Sequence, residues 1–424
     1  MINGNSELLY TFHVLGVAFY HTWWVILPFS LYWIFKILHT DFVFIRSVNS
    51  YFRKLQWTFL EVIPPKEIER GPKMMESVFQ GLSGVTTTPN NFDLWIDGKI
   101  IQDRFSFEIF GENGKAHFII RVQKRLRNMV EANIYAQYPG AEIKEVEDYT
   151  SRFPRIMPNK QWEMWGTDFR FTTDIPIPIR TYDKFEEDIT GEMIDPMATL
   201  MEVIGTLTPN QYIWMQYAVE PHLEKWNYDA AHKAVINKLK KKEDPAKMNF
   251  LDHLMDVMRN FFKGFTAPPE FAVAAKSQDQ PLEFKLSPLE KDLLKATEEK
   301  LGKNLFKTKM RFVYIGKREN FDKAFLSSFI GGIKQFNDMN YNQVIPEDVS
   351  KTYGKIFFKD ITADFRKRKL YKRYKDRDPT GVIVHFSTKE MATVYHFPDM
   401  GVMAPSVPRV ASKLGTAPPN LPIE

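Results

Sequence analysis

The order of strand-like and helix-like segments after residue 57 constrains the fold of this chain most. From residue 57 to residue 149 the pattern reads strand, helix, strand, strand, helix, strand. The two middle strands flank the segment 111–114, Gly-Glu-Asn-Gly, which is typical of a tight hairpin turn. This order is that of a βαββαβ, ferredoxin-like unit, in which helices cover one sheet. The pattern therefore predicts a first αβ domain over residues 57–160.

A second αβ domain of similar order is predicted over residues 161–350, which makes the fold class α+β. Its helices are expected to begin at Asp195 and at Ser287, because each of these residues can cap a helix and is followed by proline. A helical insertion at 222–286 interrupts this domain. Its apolar residues between 249 and 265 recur at helical spacing, which favours a helix packed on the protein. A partner-binding helix and a membrane-surface helix are the alternatives.

The first forty residues contain a long run without charge, since no Asp, Glu, Lys or Arg occurs between Glu7 and Lys36. A helix of this length would extend about 40 Å and could cross a bilayer with tilt. A signal peptide would need a basic start, a shorter apolar run and a cleavage site of small residues. A buried helix of a globular domain is the other alternative. We predict a transmembrane anchor over residues 1–40 and a juxtamembrane connector over residues 41–56.

The charges on the two sides of this run predict an orientation. Glu7 is the only charged side chain before the run, whereas Lys36, Arg46, Arg53 and Lys54 follow it. Basic residues stay on the cytoplasmic side of a membrane. The expected placement is therefore a single pass through the cytoplasmic (inner) membrane, with the N-terminus outside and the bulk of the chain in the cytoplasm.

Several classes of chemistry lack their sequence signals. The chain has no cysteine, which excludes disulfides, thiolate nucleophiles and iron–sulfur clusters. Its Gly-Lys pairs are never followed by Ser or Thr, so no phosphate-binding loop is present. Histidines and carboxylates cluster without a metal-binding spacing. We predict no catalytic residue, no metal and no cofactor, hence no enzyme. A hydrolase with an unfamiliar site is the alternative.

A basic tract stands out in the region 351–398, which is also expected to contain a terminal strand. Eight cations fall between residues 366 and 377 and alternate with Tyr371 and Tyr374. A solvated helix face, a contact with anionic lipid headgroups and a contact with nucleic-acid phosphates are the three interpretations. The candidate nucleic-acid or lipid contacts are Arg366, Lys367, Arg368, Lys369, Lys372, Arg373, Lys375 and Arg377.

The segment 399–424 holds five prolines and almost no apolar periodicity. Proline lacks a backbone N–H and pushes the preceding residue to an extended conformation, so neither a helix nor a central strand is expected. An extended arm that lies on another surface is predicted.

Four segments together resemble a known family. They are SSFIGGIKQFNDMNYNQVIP at 327–346, the basic tract ending KRYKDRD, HFSTKEMATVYHFPD at 385–399 and APPNLPIE at 417–424. This ordered set resembles the accessory region that precedes the motor in conjugative DNA-transfer ATPases of type IV secretion, in the HerA–FtsK superfamily. The likeness is to versions from candidate-phylum bacteria and covers nearly all of 57–424. In fused members the motor follows the last motif, whereas this sequence stops there.

The resemblance implies a non-enzymatic, membrane-anchored platform or adaptor of a secretion or conjugation machine. It would form homo-oligomers and dock a separate P-loop motor ATPase through its C-terminal segment. The alternative is a membrane-tethered nucleic-acid-binding module that guides DNA along the basic tract. The candidate docking residues are Tyr395, His396, Phe397, Pro398, Pro418, Pro419, Asn420, Leu421 and Pro422.

Overall fold

The structure is a computed structural model with two compact units, which we describe separately. The first unit comprises residues 1–57 and 87–103, and the second comprises residues 58–86 and 104–424. The residues that the structure describes are 4–39, 54–66, 68, 71–86, 103–173, 176–185, 194–222, 230, 233–235, 286–354, 358–399 and 407–409.

The first unit contains one long helix, α1 (Gly4–Leu38), with Pro28 inside it. No helix in the described part of the chain combines the length and the apolar character that a membrane crossing needs. The charge-free run is rich in side chains with polar atoms, such as Tyr20, His21, Trp23 and Trp24. Absence of charged residues therefore does not by itself give the run the high hydropathy that a membrane span needs. The predicted anchor at residues 1–40 and the single-pass placement in the inner membrane are therefore wrong. Most of the predicted connector 41–56 lies outside the described residues.

The second unit is built on a sheet of nine strands in the order β4-β1-β3-β2-β6-β7-β5-β8, with β9 also paired to β7. The strands are β1 (Trp57–Ile63), β2 (Phe105–Glu112), β3 (Lys115–Gln123), β4 (Glu142–Val146), β5 (Trp162–Phe171), β6 (Gln211–Pro221), β7 (Leu305–Lys317), β8 (Val344–Pro346) and β9 (Val384–Ser387).

The two halves of the chain contribute to this one sheet. Within the first half the order is β4-β1-β3-β2, and within the second half it is β6-β7-β5-β8. Strands β2 and β6 join the halves in an antiparallel pair that runs from Phe105 opposite Val219 to Glu112 opposite Tyr212. The predicted fold of a transmembrane helix followed by two αβ units is therefore corrected to an α+β structure with one continuous antiparallel sheet.

The second unit includes seven helices within the described residues. They are α2 (Gly71–Ser83), α3 (Arg127–Gln137), α4 (Ala198–Gly205), α5 (Pro288–Leu301), α6 (Ala324–Lys334), α7 (Lys359–Asp376) and α8 (Thr388–Val394). The larger hydrophobic core lies between one sheet face and helices that include α2, α3, α4, α6 and α8. A smaller core lies on the other face, beneath α7. The second unit thus has a sheet with helices on both faces.

Local sequence patterns predict the turns and helix caps of several elements, and the structure confirms some of these predictions. The hairpin between β2 and β3 turns at Asn113 and Gly114, both with positive φ, as predicted. The side chain of Ser287 caps α5, as predicted, and it forms a capping box with Glu290. Asp195 does not cap a helix, because α4 begins only at Ala198. The predicted terminal strand after residue 382 is short and gives way to α8, which begins with its own capping box of Ser387 and Glu390.

Candidate functional site

Helix α7 carries the predicted basic tract and lies across the centre of the sheet. Its inward face consists of Leu370, Tyr371 and Tyr374, all buried. The rings of Tyr371 and Tyr374 pack on Trp214 of β6, with ring centroids 5.9 and 5.1 Å away. The two tyrosines that alternate with the cations are therefore core residues, and they are not available for stacking on a ligand.

A row of buried polar side chains crosses the sheet under α7. Sheet register aligns Glu108 of β2 with Gln216 of β6, Gln216 with Arg311 of β7, and Arg311 with Asp168 of β5. Gln216 Nε2 donates to Glu108 Oε1 at 3.1 Å, and the guanidinium of Arg311 donates to Gln216 Oε1 at 3.3 Å. Arg311 Nε also donates to Asp168 Oδ1 at 3.0 Å. We call these four residues the polar row.

The polar row fixes the C-terminal end of α7. Gln216 Nε2 donates to the carbonyl of Tyr374 at 3.2 Å, and Arg311 donates to the carbonyl of Arg373 at 3.1 Å. These carbonyls belong to the last turn of the helix, where they also accept from the backbone N–H groups of Arg377 and Asp378. The row therefore holds the helix on the sheet in a fixed position.

Arg377 closes this arrangement directly after α7. Its guanidinium donates to both carboxylate oxygens of Glu108 at 3.0 Å and to Asp148 Oδ1 at 3.0 Å. Burial alone would raise the pKa of Glu108, but Arg377 and the hydrogen bonds from Ser106 and Tyr149 lower it below its usual range. Burial likewise acts to lower the pKa of Arg377, and the two carboxylates raise it well above its usual value. Both groups are therefore charged at neutral pH.

Most of the eight predicted contact cations already have partners within the fold. Lys367 pairs with Glu163 at 2.7 Å, and Arg373 lies 3.5 Å from Asp378. Arg366 donates to the carbonyls of Lys351 and Tyr353, Lys375 lies over the Tyr371 ring, and Arg377 is buried as described above. Among the described residues, no ion-pair partner lies within range of the remaining three, which are exposed: Arg368, Lys369 and Lys372.

The three remaining cations lie on the outward face of α7 beside exposed apolar side chains. Ile361, Phe365, Arg368 and Lys372 follow one another at spacings of four, three and four residues, which places them on one side of a helix. Ile361 is 70 % exposed and Phe365 is 66 % exposed. We call Ile361, Phe365, Arg368, Lys369 and Lys372 the outward face.

The structure buries four of the predicted docking residues. Tyr395, His396 and Phe397 are 0 % exposed in the larger core, and Pro398 is also buried. A partner cannot reach these four residues while the core is intact. The other predicted docking residues, Pro418, Pro419, Asn420, Leu421 and Pro422, lie outside the described residues.

His396 belongs to a buried ionic cluster that ties the C-terminal segment to the rest of the fold. Its Nε2 atom lies 2.9 Å from Asp195 Oδ1, and the backbone N–H of Asp399 donates to Asp195 Oδ2 at 2.8 Å. The carboxylate of Asp399 accepts a hydrogen bond from the N–H of Gly71, at the start of α2. Burial alone would lower the pKa of His396, but the Asp195 carboxylate raises it. The cluster therefore has a structural role.

A separate cavity of about 250 Å³ is lined by a histidine–carboxylate pair, a combination that can serve in acid–base catalysis. There His117 Nδ1 lies 2.6 Å from Glu61 Oε1, and the hydrogen bond from His117 lowers the pKa of Glu61 more than burial raises it. Ser151 also lines the cavity, yet within the described part of the chain no hydrogen bond joins it to His117. A nucleophile paired with its base is thus not formed here.

The polar row is not predicted by the sequence patterns described above. Charged residues in the middle of apolar strands are the signal, since Glu108 stands in FSFEIF and Arg311 in KMRFVY. Such residues are rarely buried unless they are paired. Their partners lie far apart in sequence, so the signal indicates buried polar contacts without naming the pairs.

The fold and site define an α+β protein whose basic helix is fixed on an antiparallel sheet. A family model described as "Domain of unknown function (DUF8128)" matches residues 49–409. Because the match covers most of the chain, the chain belongs to this family. No curated protein matches the chain.

Proposed function

We propose that the chain is a non-enzymatic nucleic-acid-binding module that contacts the phosphate backbone through the outward face of α7. The observation that carries the proposal is the set of three exposed cations, Arg368, Lys369 and Lys372, to which the described fold gives no ion-pair partner. Unpaired cations on one helix face supply the non-specific attraction that nucleic-acid backbones require.

Two further features support this proposal. The polar row holds α7 on the sheet, so the cations are presented by a helix that is already ordered. Phe365 lies one turn from Arg368 and Lys369 and is largely exposed, which suits stacking with an unpaired base. A DNA-handling role is also what the resemblance to the accessory regions of DNA-transfer ATPases implies. The docking of a separate motor ATPase stays a prediction, because most of the segment expected to mediate it is not described.

Fluorescence anisotropy with a labelled single-stranded oligonucleotide tests the proposal. Binding by the full chain should weaken steeply between about 50 mM and 200 mM salt, since bound cations release counterions from the strand. The triple variant Arg368→Gln/Lys369→Gln/Lys372→Gln should reduce the slope of log K against log salt by about 2, at about 0.7 per lost phosphate contact.

A matched control removes the same charge elsewhere. Lys291, Lys295 and Lys323 are exposed on or beside α5 and α6. The variant Lys291→Gln/Lys295→Gln/Lys323→Gln should keep the slope of the unmodified chain. An equal loss in both triple variants, or no binding at the lowest salt, would refute the proposal.

A further inference from the structure

A second feature of α7 is a cavity of about 90 Å³ along its flank, which we call the α7 cavity. It lies between the helix, the turn at 347–350 and the segment Gly381–Val382. Buried Asp168 and Leu370 line it, as do exposed Lys369, Val382 and Val349, so it opens to solvent. One water needs about 15 Å³ of such space, so the α7 cavity has room for a larger polar group.

The flank of α7 that lines the cavity is basic. Arg366, Lys369 and Arg373 are spaced by three and four residues and line it together. Arg366 and Arg373 lie on a third side of the helix, and Lys369, which belongs to the outward face, borders that side. Of these three cations, Arg373 lies 3.5 Å from Asp378, whereas no carboxylate of the described residues pairs with Arg366 or Lys369.

Two further cations lie beneath the cavity and share one carboxylate. Lys309 Nζ is 3.0 Å from Asp168 Oδ2, and Arg311 Nε is 3.0 Å from Asp168 Oδ1. All three side chains are nearly inaccessible to solvent. Glu347, the other carboxylate of the lining, pairs with Arg170 at 3.0 Å. Asp168, Lys309 and Arg311 therefore sum to a charge of +1, and the nearest further carboxylate, Asp378, is shared with Arg373.

Gly381 lines the cavity next to the buried Lys309. Its φ is +104°, a conformation that favours glycine, and a Cβ atom at this position would lie 2.8 Å from Lys309 Nζ. A side chain here would press on the buried ammonium group of Lys309.

We propose that the α7 cavity binds a phosphate group, held by the guanidinium of Arg366 and the ammonium of Lys369, with Arg373, Lys309 and Arg311 supplying further positive charge. Arginine suits this ligand because its fork of N–H donors matches phosphate oxygens. The phosphate can belong to a small phosphorylated molecule or to the terminal phosphate of a nucleic acid. The site depends on the cavity, and only the second source of the phosphate rests on the proposed nucleic-acid binding.

Isothermal titration of the full chain with inorganic phosphate tests the site, with sodium chloride at equal ionic strength as the reference. We expect saturable heat and a Tm that rises with phosphate concentration, because a ligand of the folded state stabilises it. Arg366→Gln should weaken phosphate binding at least tenfold, and Lys369→Gln should have an effect in the same direction. Arg366→Lys should recover part of the affinity, since it restores the charge without the fork of donors.

Arg368→Gln is the matched control, because Arg368 lies on the outward face and does not line the cavity. It should keep the phosphate affinity while reducing the salt slope for oligonucleotides, so that failure of either proposal is seen separately. Competition of phosphate by a 5′-phosphorylated oligonucleotide, but not by its unphosphorylated form, would support the site with a nucleic-acid terminus as ligand. Phosphate binding without such competition would support the site with a small phosphorylated molecule as its ligand. Absence of saturable phosphate binding, or an equal loss in Arg368→Gln, would overturn it.

Discussion

Arg377 adopts a backbone conformation that few side chains favour. Its φ is 51°, in the left-handed region, where it ends α7. Glycine or asparagine is the usual residue at such a position. The presence of an arginine at this position is explained by the ion pair that its side chain forms with Glu108 in the centre of the sheet. One residue thus ends the helix and supplies the counter-charge to a carboxylate that is 0 % exposed.

Replacing Arg377 with methionine should destabilise the protein strongly. Arg377→Met leaves Glu108 buried without its charge partner, which we expect to lower the free energy of unfolding by about 3 kcal/mol. Urea unfolding measures the loss. Arg368→Met on the outward face is the control and should stay within about 0.5 kcal/mol. The double variant Arg377→Met/Glu108→Gln should recover part of the loss, and no recovery would contradict the assigned pairing.

His396 should make stability depend on pH. Its pKa is raised in the folded state, so the stabilisation from its charged form is complete below its unfolded pKa of about 6.5 and is lost as pH rises through the folded pKa. His396→Gln should therefore cost more stability at about pH 6 than at about pH 9. Urea unfolding of both proteins across this interval gives the difference. A cost that grows with pH would show that Asp195 does not hold the imidazolium.

At the level of elements, the two capping boxes offer a direct comparison. Ser387 and Ser287 each cap a helix with a glutamate three residues later. Ser387 is buried, and its partner Glu390 also pairs with Lys300 at 3.0 Å, whereas Ser287 is exposed.

Ser387→Ala should therefore cost about 1–2 kcal/mol, against about 0.5–1 kcal/mol for Ser287→Ala. The reason is that the buried N–H of Glu390 loses its acceptor away from water. Thermal or urea unfolding measures both variants. Equal losses would mean that Glu390 finds another acceptor.

Elements set by neighbouring residues could be predicted, and those set by distant residues could not. The hairpin at Asn113–Gly114 and the start of α5 follow from local turn and capping chemistry. The α8 capping box also has a local signal, Ser-x-x-Glu at 387–390, although the pattern of the surrounding segment favours a strand. The basic tract can be recognised in the sequence as a group of cations. Which of these cations are paired within the fold depends in part on Glu163 and Glu108, which lie far from the tract in the chain. The alternation of apolar and polar residues along a strand does not by itself predict which strands pair.

For the second unit, the pairing of β2 with β6 should make the two halves unfold together. Amides of β3 and of β7 lie on opposite sides of this pair, and we expect them to share one opening free energy in native-state hydrogen exchange. Mass spectrometry of peptides from both strands measures it. Opening free energies that differ by more than about 2 kcal/mol would show that the halves are separate cooperative units.

The β2–β6 pair also covers the edges of two long strands. Each half would otherwise end in a long, mostly buried strand with unsatisfied backbone groups, a template for other chains. In the intact sheet the strand order ends instead at β4, with exposed Glu142, Lys144 and Glu145, and at the three-residue β8, which contains Pro346. Charge and proline both discourage strand addition. Separation of the two halves would therefore expose the edges of β2 and β6, to which strands of other copies of the chain could add.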